Sequence, residues 1–120
     1  MKKLKILIAE DDEPSEKLIT IGVDKFSSEI IIAKTGTEAV ETCRLNPDID
    51  LVLMDIQMPE LNGYEATKQI REFNKAVIII AQTAYAMEDD KEKSIAAGCT
   101  DYISKPIRRV ELLNLLNKYF

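Results

Sequence analysis

The sequence predicts a doubly wound α/β fold, with one parallel sheet of five strands and helices on both faces in three layers. Two observations predict it. Short apolar runs alternate along the chain with longer segments whose apolar residues recur at helical spacing. The runs are nearly unbroken instead of alternating polar with apolar, which marks strands covered on both faces, as in a parallel sheet. Right-handed crossovers then bring every strand C-terminus to one edge, where a ligand site is expected. The 120 residues make one domain, 1–120, burying roughly two-thirds of its unfolded surface.

Leu4 to Ala9 is the first strand, with Leu4, Ile6, Leu7 and Ile8 apolar. Pro14 suits the first turn of a helix in which Leu18, Ile19, Ile21, Gly22 and Phe26 recur, ending near Ser27. Ile30 to Ala33 is the second strand, and Thr35-Gly36-Thr37 supplies a turn and a cap for a helix carrying Ala39, Val40 and Cys43. Asn46-Pro47 closes that helix. Leu51 to Met54 and Val77 to Ala81 are the third and fourth strands, with Tyr64, Ala66, Thr67 and Ile70 on the helix between them. Gly98 suits a helix C-terminal cap before the fifth strand, Tyr102 to Ser104. Val110, Leu112, Leu113, Leu115, Leu116 and Tyr119 form a last amphipathic helix that should pack on the sheet.

Composition excludes several functions. A net charge of −5 argues against nucleic-acid binding and favours proteins or cations as partners. The absence of His removes imidazole acid–base chemistry, Ser-His-Asp triads and His-based zinc sites. Cys43 and Cys99 match no metal or redox spacing and read as small buried hydrophobes, which suits a reducing, cytoplasmic setting. Met1-Lys2-Lys3 and the short run after it make a poor secretory signal, and no apolar run approaches a membrane span.

The chemistry collects at the strand ends. Glu10-Asp11-Asp12-Glu13 follows the first strand and Asp55 the third. Carboxylates about 4 Å apart repel by about 4 kcal/mol per pair at an effective dielectric of about 20, so such a cluster suits a hard divalent ion. Mg²⁺, which keeps waters and accepts phosphate oxygens, fits an open edge better than Ca²⁺ does. Asp12 and Glu13 fall at the start of the first helix, where acids complement the helix dipole. Thr83 ends the fourth strand and Lys105-Pro106 follows the fifth. Three acids, a hydroxyl and an ammonium at one edge suit a phosphoryl group carried to Asp55 as nucleophile.

In order and spacing, the segments ILIAEDDEP, LVLMDIQMPELNGYEATKQIR, IIIAQTA and AAGCTDYISKPI resemble response regulator receiver domains of two-component signalling, over essentially Leu4 to Leu116. The resemblance implies a flavodoxin-like, CheY-like sheet of strand order 2-1-3-4-5 with five helices. It implies that Asp55 is the phosphoacceptor and that Asp11, Asp55 and the backbone carbonyl of Gln57 hold Mg²⁺, for which Mn²⁺ can substitute. Glu10, where the family often has Asp, would act mainly through a bound water. Thr83 and Tyr102 correspond to the switch pair, although Tyr102 also reads as an ordinary core aromatic. Lys105 corresponds to the family lysine, joined to Pro106 by the cis peptide usual there. Pro59 and Gly63 would shape the loop after Asp55, and Gln57 and Tyr85 lie where the family tunes acyl-phosphate lifetime.

The resemblance further implies a cytoplasmic switch more than an enzyme, whose only chemistry is on its own aspartate. A histidine kinase or histidine phosphotransfer protein would be the donor. A downstream effector, or a second copy of the domain, would read the face of the fourth helix, fifth strand and last helix. Direct nucleic-acid or membrane contact is not expected. MPELNGYEATKQIR and AQTAYAM resemble receivers of hybrid histidine kinases somewhat more than free-standing regulators. Arg108-Arg109 reads as a solvated pair or a partner surface. Two other classes fit worse: a haloacid-dehalogenase-type phosphatase needs a second Asp where Gln57 stands, and a flavodoxin-like carrier needs a phosphate loop where Glu10 to Glu13 stand. A degenerate receiver used only for docking is the milder alternative.

Overall fold

The protein is represented by a computed structural model that describes residues 3–84 and 88–120. Its elements are β1 (Leu4–Ala9), α1 (Glu13–Val23), β2 (Ser27–Ala33), α2 (Gly36–Leu45), β3 (Leu51–Asp55), α3 (Gly63–Phe73), β4 (Ile78–Thr83), α4 (Glu88–Ala97), β5 (Asp101–Ser104) and α5 (Arg109–Tyr119). The five strands form one sheet in the order β2-β1-β3-β4-β5, every pair parallel. This is the doubly wound order expected above.

Alternation along the strands sorts the core into two layers. Leu7, Ala9, Val52, Met54, Ile79 and Ala81 face α2 and α3, meeting Val40, Cys43, Ala66 and Ile70. Ile6, Ile8, Leu51, Leu53, Ile80 and Ile103 face the other way, onto Ile19 and Val23 of α1 and Leu112 and Leu116 of α5. Cys43 and Cys99 are buried free thiols, and burial pushes the Cys43 thiol up to about 11.

Three helix starts are set by side-chain caps. Asp12 accepts from the Ser15 amide, Thr35 from Glu38 and Asn62 from Glu65, each satisfying an N–H that the helix leaves open. Asp12 is therefore held by its helix, as its position at the helix start suggested. Gly98 follows α4 with φ +108, a conformation that side chains disfavour. Gly63 is needed for a different reason, since a Cβ there would overlap the Asp55 carbonyl.

Several boundaries and faces differ from the sequence reading. The α1 helix stops at Val23, a 3-10 turn over Asp24–Phe26 follows, and β2 begins at Ser27 instead of Ile30. β2 is an edge strand whose first residues, paired with β1 from Leu4↔Ser27 onward, are polar and partly solvated, so an apolar run understates it. β4 likewise runs past its apolar stretch through Gln82 and Thr83. Leu18 and Ile21 of α1 are 71% and 74% exposed and Val110 of α5 is 69% exposed, so each helix packs on a narrower stripe than its apolar content indicates. Among the described residues no helix is long and apolar enough to cross a membrane.

Candidate functional site

Parallel strands deliver their C-terminal residues to one edge, and alternation decides which face each joins. Glu10, Asp55, Gln82 and Lys105 continue the rows of Ile8, Leu53, Ile80 and Ile103, so all four belong to the α1–α5 side of the sheet. Glu10 is wholly buried, Asp55 is 5% exposed and Asp11 is open to solvent. Carboxylate oxygens of these three acids lie within 4.8 Å of one another.

Lys105 ties the cluster together. Its Nζ donates to Glu10 Oε1 at 2.7 Å and stands 3.5 Å from Asp55 Oδ1. The other Glu10 oxygen accepts from the Asp12 backbone N–H at 3.3 Å, and Asp55 Oδ1 accepts from the Gln57 N–H at 3.2 Å. The longer side chain at position 10 thus spans from the helix start to the lysine.

Burial, reinforced by the hydrogen bond and charge of Glu10, pushes the Asp55 carboxyl up to about 7 against the opposing pull of Lys105 and the Gln57 amide. Burial draws the Lys105 ammonium down, but the Glu10 hydrogen bond and the two carboxylate charges outweigh it and hold it above the ordinary lysine range. Among the described residues, Lys105 is the cation that meets this cluster, through Glu10 and Asp55.

Thr83 and Tyr102 form a neighbouring pair on the opposite face, diagonal across the β4–β5 ladder. Thr83 is 2% exposed and its Oγ1 has no hydrogen-bond partner among the described residues. Tyr102 is half-buried against the α2–α3 core, with Lys91 Nζ of α4 lying 5.8 Å from its ring centre. The Lys105–Pro106 peptide is cis. Gln57 lies exposed two residues beyond Asp55, and Tyr85 lies outside the described residues.

Sequence reasoning missed Gln82. It pairs in register with Asp55, is wholly buried, and neither its Nε2 nor its Oε1 meets a partner among the described residues. The available signal was a lone amide at the last inward position of an apolar strand. The Asp12 N–H that steadies Glu10 was also missed, because it is backbone and carries no sequence signature.

Hard oxygen donors, a cation and a hydroxyl with no partner among the described residues, all at one edge, are the donor set of a divalent ion beside a phosphoryl group. Comparison with known proteins agrees with this chemistry. Residues 6–117 match the family model described as response regulator receiver domain. Hybrid signal transduction histidine kinase I of Dictyostelium discoideum is 41% identical over 94% of this chain, which spans 7% of that protein. The polar-differentiation response regulator DivK of Brucella ovis is 36% identical, covering 95% of this chain and 94% of DivK. Two solved structures are also similar. The receiver domain of Saccharomyces cerevisiae Ssk1, in co-crystal with the histidine phosphotransfer protein Ypd1, has TM-score 0.91 and 33% identity, over 98% of this chain and 89% of that one. The receiver domain of the Pseudomonas aeruginosa sensor kinase PA1611, with magnesium in its active site cleft, has TM-score 0.86 and 32% identity, over 98% and 97%. With sheet order, edge chemistry and near-complete family coverage in agreement, the chain belongs to the response regulator receiver domain family of two-component signalling.

Proposed function

We propose that this domain accepts a phosphoryl group on Asp55 from a phosphohistidine of a histidine kinase or histidine phosphotransfer protein, with Mg²⁺ as cofactor. The observation that carries the proposal is Asp55 itself, a buried carboxylate set among Glu10, Asp11 and Lys105 at the sheet edge. Around Mg²⁺ at about 2.1 Å, neighbouring ligand oxygens stand about 3 Å apart and opposite ones about 4.2 Å, so acids within 4.8 Å need only a small closure. Asp11 and Asp55, with the Gln57 carbonyl, would hold the ion, and Glu10 would act through water. Bound there, Mg²⁺ supplies charge neutralisation and a template for phosphoryl oxygens.

The chain's own residues supply the rest. An Asp55 oxygen attacks phosphorus in line with the leaving imidazole. The P–O bond forms as the P–N bond breaks, and the imidazole keeps the bonding pair and takes a proton. Lys105, already 3.5 Å from Asp55 Oδ1, neutralises charge on the transferred group. Thr83, whose buried hydroxyl has no partner among the described residues, donates to a phosphoryl oxygen, and Tyr102 repacks into the space released. The face of α4, β5 and α5 then changes shape for an effector or a second copy to read. The Ssk1 co-crystal with a histidine phosphotransfer protein and the magnesium-bound PA1611 receiver support both partner and ion.

Intact mass after incubation with acetyl phosphate and Mg²⁺ tests the proposal. One addition of about 80 Da is expected, absent in EDTA and in Asp55→Asn. Mg²⁺-independent modification would contradict the metal's role, and none with either a small-molecule or a histidine donor would favour a docking module.

A further inference from the structure

Gln82 is a polar group of the phosphoacceptor edge that the chemistry above leaves unused. It is wholly buried on β4, and neither its Nε2 nor its Oε1 meets a partner among the described residues. An amide closed off in this way costs free energy that a leucine in its place would not. Both amide atoms are shut away from solvent, so a partner for them has to come from within the protein. The sheet register shows which groups are near. Gln82 stands level with Asp55 across the β3–β4 ladder and with Ile103 across the β4–β5 ladder, neighbouring strands being about 4.8 Å apart. Residues level with one another in a parallel sheet point to the same face, which puts the Gln82 amide beside the Asp55 carboxylate. Lys105 comes two residues after Ile103. To reach Glu10 Oε1 at 2.7 Å and Asp55 Oδ1 at 3.5 Å from the end of β5, it crosses the row of β4 where Gln82 stands. Gln82 therefore lies between an ammonium, which can only donate, and a carboxylate, which can only accept. A carboxamide offers one atom to each.

We propose that Gln82 is a positioning residue for the phosphoryl transfer to Asp55 proposed above, on which this inference rests: its Oε1 accepts from Lys105, and its Nε2 donates to the Asp55 oxygen that stays off phosphorus. In the resting domain the ammonium is committed to Glu10, beyond Gln82, and the amide is left over. Negative charge gathering on Asp55 draws the ammonium back toward β4, where Gln82 Oε1 takes a proton that Glu10 gives up. The lysine is then held from two sides while it neutralises the transferred group.

A double-mutant cycle tests this, with the rate of phosphorylation by acetyl phosphate at saturating Mg²⁺ followed by intact mass. Gln82→Leu and Gln82→Met should each slow the reaction about tenfold, the scale of a hydrogen bond to a charged group. Neither should lower the urea midpoint of the ion-free protein, because each removes an unmet amide. In a Lys105→Ala background the effect of Gln82→Leu should shrink to about threefold or less, since the group through which the amide mainly acts is gone. The side-chain N–H₂ resonances of Gln82, identified by their loss in Gln82→Leu, should shift when Mg²⁺ and beryllofluoride, a phosphoryl mimic, are added. Unchanged rates in both variants of a protein that is itself phosphorylated would overturn the role of Gln82 alone. So would an undiminished effect in the Lys105→Ala background, a slowing matched by a fall in urea midpoint, or amide resonances that do not move. Failure of the parent protein to take up a phosphoryl group from any donor would overturn the reading of Asp55, and this inference with it.

Discussion

At the scale of single residues, the environment of Asp55 bears on both the proposed chemistry and stability. With its carboxyl at about 7 in the fold against 3.8 as the ordinary value, the folded protein holds a proton that the unfolded chain releases. For a raised carboxyl the sign is the reverse of the salt-bridged case. The ion-free domain is most stable with Asp55 protonated, loses stability as pH rises from about 4 to about 7, and has lost this contribution fully above that. Asp55→Asn should flatten this dependence and raise the melting temperature at pH 8, as thermal scans across pH will show. Lys105→Ala should lower the rate of Asp55 phosphorylation by about 10²-fold, the scale on which a preorganised charge stabiliser acts, with the fold retained by circular dichroism. Asp55 was legible as a lone acid closing the apolar run Leu51 to Met54, and Lys105 as the Lys-Pro step that follows the fifth strand. Gln82 was not singled out, since an amide beside Thr83 reads as ordinary strand-end polarity until its burial is seen.

At the scale of elements, the edge is only as well placed as the strands beneath it. Arg71 of α3 acts as a clamp at the opposite end of the sheet. Its Nε donates to the Gly98 carbonyl at 2.8 Å, and its Nη1 to the carbonyls of Val77 at 2.7 Å and Asn74 at 3.2 Å. These bonds join the end of α3, the entry to β4 and the turn before β5. Arg71→Ala leaves part-buried carbonyls unmet and should cost about 3 kcal/mol in urea denaturation, with little change in the slope against urea. Nothing in the sequence marks this role, because an arginine late in a helix reads as dipole compensation. The inner strands β1, β3 and β4 were legible because doubly covered strands are largely apolar, whereas the strand order came with the family resemblance and not from the apolar runs. The end of α1 was not, since Phe26 keeps the helical spacing while the backbone has already tightened into a 3-10 turn. The exposure of Leu18, Ile21 and Val110 was equally hidden, for periodicity shows that a helix has an apolar face but not how much of it the sheet covers.

At the scale of the whole molecule, the proposed ion binding would draw on the same acids whose charge bears on folding. Because Mg²⁺ takes carboxylates and releases their protons, its affinity should fall about tenfold per pH unit below about 7, where Asp55 takes up its proton. Saturating Mg²⁺ should therefore raise the melting temperature more at pH 8 than at pH 6, by mass action on the folded state. Isothermal titration at the two pH values provides the check. Phosphorylation at Asp55, as proposed, would act on the same balance from the other side. Driving a switch from 1:99 to 99:1 takes about 5.5 kcal/mol of differential stabilisation, more than one hydroxyl contact and one repacked ring supply, so partial activation is expected of the domain alone.

The proposed chemistry depends on one carboxylate among the acids of the edge. Reduction with borohydride after Mg²⁺-dependent phosphorylation, followed by peptide mapping, reads that position directly, because an acyl phosphate is reduced to an alcohol and a free carboxylate is not. The expected result is a single reduced side chain at Asp55, lost in EDTA. Reduction at Glu10 or Asp11 instead, or a phosphorylated protein with Asp55 intact, would contradict it.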